Sequence, residues 1–221
     1  MKSATAKQLD GLKIHEIFYS LQGESTYVGL PTVFVRLTGC PLRCTYCDTA
    51  YAFHGGQRMT LAAIMTEVAK HPTRHVCITG GEPLAQPEVL TLITQLCDQH
   101  YHVSIETSGA LSIADVDPRA SRVVDFKTPS SGEVAKNLYD NLKHLTPHDQ
   151  VKWVVGNEAD YQWAKAMLQD HPKLQHVACL MSPVYDTLSP TTLAEWILRD
   201  GLAVRMQVQL HKILWGETPG K

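Results

Sequence analysis

Runs rich in β-branched residues alternate with runs of helical period along most of this chain, and that alternation restricts the fold more than any other feature. Residues 14–18 read as a short strand, followed by a polar loop over 20–25. Residues 32–37 (Thr-Val-Phe-Val-Arg-Leu) read as a clear strand. From Thr60 the period changes: Leu61, Ile64, Met65 and Val68 fall at helical spacing, with Thr60 as N-cap and Pro72 beyond the end. Strands follow over 75–79, 102–106, 122–126, 150–155, 176–181 and 204–210. Between them lie a helix over 87–100, a partly helical stretch over 130–147, a helix capped by Asn157, and one opened by Ser189-Pro190 and closed by Gly201. Such alternation implies a mostly parallel α/β sheet. An incomplete, open parallel β/α barrel is the architecture expected, as one domain over 1–221. Residues 1–12 read as a flexible lead-in, and the tail 216–221 is unassigned.

In such sheets functional groups gather at the C-terminal ends of the strands. The unusual polar clusters fall there: a cysteine loop after residue 37, Gly80-Gly81-Glu82-Pro83, Glu106-Thr107-Ser108-Gly109, Lys127-Thr128 and His211-Lys212. Their shared location says more than any one of them, since each alone is a solvated turn in many proteins.

The cysteine loop is the most specific cluster. Cys40, Cys44 and Cys47 form C-x3-C-x2-C, and thiolates are soft ligands suited to iron–sulfur clusters, zinc or copper(I). Three thiolates hold three irons of a cubane and leave the fourth open, whereas pure electron carriers usually supply four cysteines. A structural zinc site is the alternative, with His54 at a workable distance as fourth ligand. Cys77, Cys97 and Cys179 are scattered, so no disulfide framework is expected. Cys77 and Cys97 occupy strand and helix positions where cysteine serves as a small core hydrophobe.

Composition removes several classes. At 44% hydrophobic, 19% charged and a net charge of −2, the chain has ordinary globular composition and no broad basic surface for nucleic acid. It shows no apolar run of membrane-spanning length and no signal-peptide pattern, so a cytoplasmic protein without membrane contact is expected.

The cysteine spacing resembles the signature of the radical S-adenosylmethionine (SAM) superfamily. That resemblance implies a 4Fe-4S cluster on Cys40, Cys44 and Cys47, with SAM on the open iron. The Gly80-Gly81-Glu82-Pro83 stretch resembles the superfamily element that holds the methionyl amino group, by Gly81 and Glu82. Tyr46, Cys47, Asp48, Ser108, Asp125, Phe126 and Lys127 would complete the SAM pocket, with Tyr46 near adenine. The cofactors then carry the chemistry, and no side chain is required as a general acid or base.

A finer resemblance rests on Phe18-Tyr19-Ser20-Leu21-Gln22-Gly23-Glu24, Gly29-x-Pro31, Cys47-Asp48-Thr49, Ile105-Glu106-Thr107-Ser108-Gly109 and Gln209-x-His211-Lys212. From residue 14 to 212 the chain is similar to the 7-carboxy-7-deazaguanine synthase family. Ser25 stands where many members have glycine. The resemblance implies ring contraction of 6-carboxy-5,6,7,8-tetrahydropterin with loss of ammonia, on the route to queuosine and other deazapurines. It also implies Mg²⁺ held by Thr49, a homodimer, and a flavodoxin or ferredoxin as electron donor. Leu21, Gln22, Gly23, Thr79 and His211 would contact the pterin. Arg36 would take its carboxylate, as a guanidinium fork suits that group. Two rival readings stand beside it: a radical SAM activase of a glycyl-radical enzyme, and a non-catalytic zinc module.

Overall fold

The computed structural model describes residues 11–216, 218 and 220. The expected lead-in therefore falls mostly outside the described residues, as do three positions of the tail. Strand β1 spans Leu12–Leu21 and pairs antiparallel with β2, Pro31–Leu37. It is longer than the five residues expected: Leu12 and Ile14 are buried, and Ser20 and Leu21 are still paired with Thr32 and Pro31. A three-residue edge strand β3, Gln57–Met59, pairs with its start.

Strands β4 (His75–Gly80), β5 (His102–Thr107), β6 (Ser121–Asp125), β7 (Gln150–Val155), β8 (Ala178–Pro183) and β9 (Arg205–Met206) then run parallel to β2. The sheet order is β3-β1-β2-β4-β5-β6-β7-β8-β9, and among the described residues its two edges are not joined by pairing. This is the open parallel sheet expected from the alternation. The final strand is two residues long rather than seven, because the chain turns into helix α5, Leu210–Trp215.

Helices α1 (Leu61–Val68), α2 (Val89–Asp98), α3 (Glu158–Asp170) and α4 (Pro190–Asp200) connect the strands. Thr60 caps α1 by accepting from Ala63 N, and Asn157 caps α3 by accepting from Asp160 N. Gly201 ends α4 at φ +60°, a left-handed position that suits glycine. Ser189 precedes α4 without a side-chain cap bond. The stretch 130–147 forms three short 3₁₀ helices rather than α-helix.

Strand alternation separates two faces. Val35, Leu37, Val76, Ile78, Ile105, Val124, Val151, Trp153 and Met181 belong to the helix-covered core and are almost wholly buried. The intervening positions carry Arg36, Cys77, Thr79, Glu106, Asp125 and Lys152, so the opposite, inner face is polar. Cys77 is buried as expected of a core cysteine, but it lies on the polar inner side, paired across the sheet with Ser104, and stands outside the apolar cluster. Cys97 and Cys179 do sit in the apolar core.

Candidate active site

The cysteine loop leaves β2 and is fastened before any ligand is considered. Glu82 N donates to Gly39 O at 2.8 Å, Gly39 N to Ala52 O at 2.9 Å, and Thr45 N to Ser131 O at 3.0 Å. Arg43 folds back into the loop, donating to Cys40 O and Leu42 O, with its guanidinium 4.2 Å from the Phe53 ring centroid. Arg43 N also donates to the Glu133 carboxylate at 2.5 Å. Tyr46 O–H meets Thr128 Oγ1 at 3.1 Å, and burial pushes its pKa up to about 12.

The three loop thiols are half-buried. Burial raises all three, Cys44 to about 11, while the nearby Lys127 ammonium pulls the other way. His54, the fourth ligand a zinc site would take, is exposed. Among the described residues no three His, Cys, Asp or Glu side chains converge where one metal ion could sit. Three thiols on one pinned loop fit a polynuclear cluster better than a single tetrahedral ion.

Next to the loop, Gly81 carries its functional reading together with a steric one. A Cβ there would lie 2.2 Å from Gly39 O, so this position admits only hydrogen. Glu82 is fully buried. Its carboxylate accepts from Thr107 Oγ1, Ser108 N, Ser108 Oγ and Leu84 N at 2.5 to 3.0 Å. Glu82 therefore ties the end of β4 to the end of β5 and places the Ser108 side chain. Lys127 pairs with Asp125 at 2.8 Å. Burial opposes that ammonium, but Asp125, with Cys44 beside it, outweighs it and pushes its pKa up. Asn137 holds the Lys127 backbone at both its N–H and its carbonyl. The Phe126 side chain points into the core and is fully buried, so only its backbone can face a ligand.

Beneath this level the loop after β1 crosses the inner face. Gln22 Nε2 donates to Glu106 Oε1 at 3.2 Å, and Thr79 Oγ1 to Glu106 Oε2 at 3.4 Å. Lys152 Nζ binds Glu24 Oε2 at 2.5 Å. Burial works against the Lys152 charge, but Glu24 overcomes it and keeps the ammonium well protonated. Burial, with Glu24 nearby, pushes the Glu106 carboxyl up. Glu24 Oε1 and Asp125 Oδ1 are buried acceptors with no partner among the described residues, an arrangement that is costly unless something donates to them. Glu24, Ser25, Glu106, Val123, Asp125 and Lys152 enclose a cavity of about 40 Å³.

Helix α5 closes this face from the other side. Leu210 N donates to Gly23 O at 3.0 Å, and Gln207 Nε2 donates to Ser25 O at 2.6 Å. His211 lies directly on Gly23, where a Cβ would fall 2.0 Å from its Nδ1, and burial lowers the His211 pKa. Gln209 Nε2 and Lys212 Nζ approach Asp48 Oδ2 at 3.1 and 3.7 Å. Thr49 Oγ1 donates to Asp48 Oδ1 at 2.8 Å, which leaves the hydroxyl lone pairs available to a cation.

The structure thus gathers the expected residues into two levels: Cys40, Cys44, Cys47, Tyr46, Gly81, Glu82, Ser108, Asp125 and Lys127 above, and Gln22, Gly23, Arg36, Thr79 and His211 below. Leu21 ends β1 and is half-buried. Glu24, Glu106 and Lys152 join the site without a role assigned to them by the sequence. Their signal was a charged residue at an inward position of an otherwise apolar strand, or in a loop, with its partner up to 128 residues away.

An open parallel sheet carrying a three-cysteine loop after its first parallel strand defines a radical SAM protein, and residues 34–125 match the model of the Radical SAM superfamily. The 4Fe-4S cluster and SAM follow from that class. A 7-carboxy-7-deazaguanine synthase of Chlorobaculum tepidum is 46% identical over 207 residues, covering 92% of this chain and 94% of the relative. One of Koribacter versatilis is 41% identical, covering 95% of this chain and 100% of the relative. The chain belongs to the 7-carboxy-7-deazaguanine synthase family. The crystal structure of QueE from Escherichia coli shares the fold, with a TM-score of 0.76 at 23% identity over 90% of this chain and 94% of that one.

Proposed function

We propose that the chain contracts the ring of 6-carboxy-5,6,7,8-tetrahydropterin to 7-carboxy-7-deazaguanine, releasing ammonia. The observation that carries the reading is the polar inner face under a three-cysteine loop, with two buried carboxylate oxygens awaiting donors. A pterin offers N–H donors on its pyrimidine edge and a carboxylate at the other end. Glu24 and Asp125 suit the donors, with Glu106, Gln22 and Thr79 beside them. Arg36 suits the carboxylate: its Nε is already used, and its terminal nitrogens make no hydrogen bond among the described residues. The present cavity holds little more than a water or two. Entry of the ring therefore requires the Gln22–Glu106 and Glu24–Lys152 pairs to part.

Cys40, Cys44 and Cys47 would hold the 4Fe-4S cluster, and Tyr46, Cys47, Asp48, Gly81, Glu82, Ser108, Asp125, Phe126 and Lys127 would surround SAM. Together these cofactors, when bound, supply a carbon radical able to take a hydrogen atom from the substrate. The chain's own part is to orient the pterin, keep water from the site and compensate charge. His211 and Gly23 would cover the ring from the α5 side. Mg²⁺ would sit at Thr49, with Asp48 supplying negative charge and the substrate carboxylate completing the site. We take the protein to act as a cytoplasmic homodimer of single-domain protomers fed by a flavodoxin or ferredoxin, in queuosine or related deazapurine synthesis. The test offers the reconstituted enzyme the pterin and, separately, a glycyl-radical enzyme. Ammonia release with the pterin alone supports the reading, and a glycyl radical signal without ammonia release overturns it.

A further inference from the structure

The Arg36 guanidinium does not hang freely over the inner face. Glu16 stands directly across the β1–β2 pair from Arg36, just past a register shift between Ile14 and Glu16 that re-aims the side chain. Its Oε1 accepts from Arg36 Nε at 2.8 Å and from Tyr51 O–H at 2.9 Å. The guanidinium carbon lies 5.6 Å from the Phe18 ring centroid and 5.8 Å from that of Tyr51. Phe18 is itself fixed by a parallel stack on Phe34 at 4.8 Å. The pair is shielded, with Arg36 and Glu16 side chains 15% and 22% exposed.

This arrangement has two consequences. A bond at Nε fixes the plane of the guanidinium, and the flanking rings restrict its tilt, so the two terminal nitrogens project in one direction. Tyr51 belongs to the 3₁₀ helix Ala50–Phe53 that begins just after Thr49, on the exit of the cysteine loop. One carboxylate oxygen therefore joins the substrate anchor to the loop that carries the thiols.

We propose that Glu16 is a positioning residue, which aims the terminal nitrogens of Arg36 at the substrate carboxylate and, through Tyr51, fixes that anchor relative to the cysteine loop. This rests on the reading that Arg36 takes the carboxylate of the pterin. A purely structural role for Glu16 would alter the binding of every ligand alike. A positioning role alters only ligands that carry the carboxylate.

The experiment measures binding to the reconstituted, SAM-loaded protein of two ligands: 6-carboxytetrahydropterin and tetrahydropterin lacking the carboxylate. Iron content is checked for each variant. Glu16→Ala should weaken the carboxylated ligand roughly 10- to 100-fold, the effect expected when a charge-assisted bond loses its geometry. It should leave the other ligand within about twofold. The double variant with Arg36→Ala should bind the carboxylated ligand no worse than Arg36→Ala alone. Glu16→Gln keeps an acceptor at the same place and should recover most of the loss. Tyr51→Phe should give a smaller, equally carboxylate-dependent loss, and it keeps the proposal testable if Glu16→Ala folds poorly. Equal weakening of both ligands by Glu16→Ala, or full additivity in the double variant, overturns the proposal. An effect of Arg36→Ala without one of Glu16→Ala or Tyr51→Phe sinks this inference and leaves the substrate reading standing. No effect of Arg36→Ala on the carboxylated ligand sinks both.

Discussion

Gly81→Ala isolates the packing that seats the cysteine loop. The new Cβ would lie 2.2 Å from Gly39 O, 2.5 Å from Gly39 C and 2.9 Å from Cys40 Cβ. The first two are backbone atoms that no rotamer change relieves, so the loop must retreat by about 1 Å to reach ordinary contact. That retreat stretches two bonds, Gly81 N to Leu37 O at 3.1 Å and Glu82 N to Gly39 O at 2.8 Å. Overpacking costs about 1–3 kcal/mol and each of the two weakened bonds about 0.5–1 kcal/mol, so a loss of about 2–5 kcal/mol is expected. Against the roughly 5–15 kcal/mol of a typical domain this loss leaves the chain folded except where both the stability is at its lowest and the loss at its largest. The urea midpoint of the metal-free protein should fall by roughly 1–2 M. Iron bound per chain after anaerobic reconstitution should also drop, because Cys40 moves with Gly39. Gly29→Ala is the control: it sits at φ +86° with no atom near its Cβ position, so it should cost about 1 kcal/mol of backbone strain and leave iron binding normal. A wild-type midpoint and full iron content in Gly81→Ala would refute the idea that this contact seats the loop.

Other outcomes follow from the same geometry. Cys40→Ala, Cys44→Ala or Cys47→Ala should abolish iron binding and activity, whereas Cys97→Ala and Cys179→Ala, in the apolar core, should keep the cluster. Thr49→Ala should spare the cluster and SAM binding but remove most of the mutual strengthening between Mg²⁺ and substrate, measured by titrating each with and without the other. Arg122→Met strands the buried Asp149 carboxylate, now held by a fork at 2.9 and 2.5 Å, and should cost about 3–5 kcal/mol in urea unfolding. Burial opposes the Asp149 charge, but the Arg122 and Thr146 bonds outweigh it and hold its pKa below the usual value. Its contribution is therefore complete above about pH 4, the unfolded carboxylate value, and is lost as pH falls through the lower folded value. The gap between wild type and Arg122→Met should narrow over that acid range.

Much of the fold was written locally. The strand and helix periods, the caps at Thr60 and Asn157, and the Gly201 stop each depend on a few adjacent residues, and the structure reproduces them. The structure departs from the local pattern where neighbours far along the chain decide. β1 runs on to Leu21 because β2 supplies partners for Ser20 and Leu21, and β3 exists only as an edge for β1. β9 stops at two residues because 207–212 is drawn down onto the loop over 22–25, with Leu210 N bonded to Gly23 O. The upper level of the site was legible because its glycines, cysteines and carboxylate cluster in short stretches. The lower level was half-legible. Gln22 and Arg36 stand in distinctive stretches, but the partners that give them their setting, Glu106 and Glu16, lie 84 and 20 residues away. The setting of Cys77 is hidden for a related reason: strand alternation shows that a residue has a side, and only the folded sheet shows which side is polar.

Loss of ammonia from a carboxylated pterin at the inner face beneath the cysteine loop is the step to test. The direct test is an anaerobic incubation of the iron- and sulfide-reconstituted protein with SAM, a reductant, Mg²⁺ and 6-carboxytetrahydropterin, read by mass spectrometry. The expected product is lighter than the substrate by one ammonia, matches 7-carboxy-7-deazaguanine and is absent from the Cys44→Ala protein. An intact cluster and bound SAM with the pterin returned unchanged would rule that reaction out.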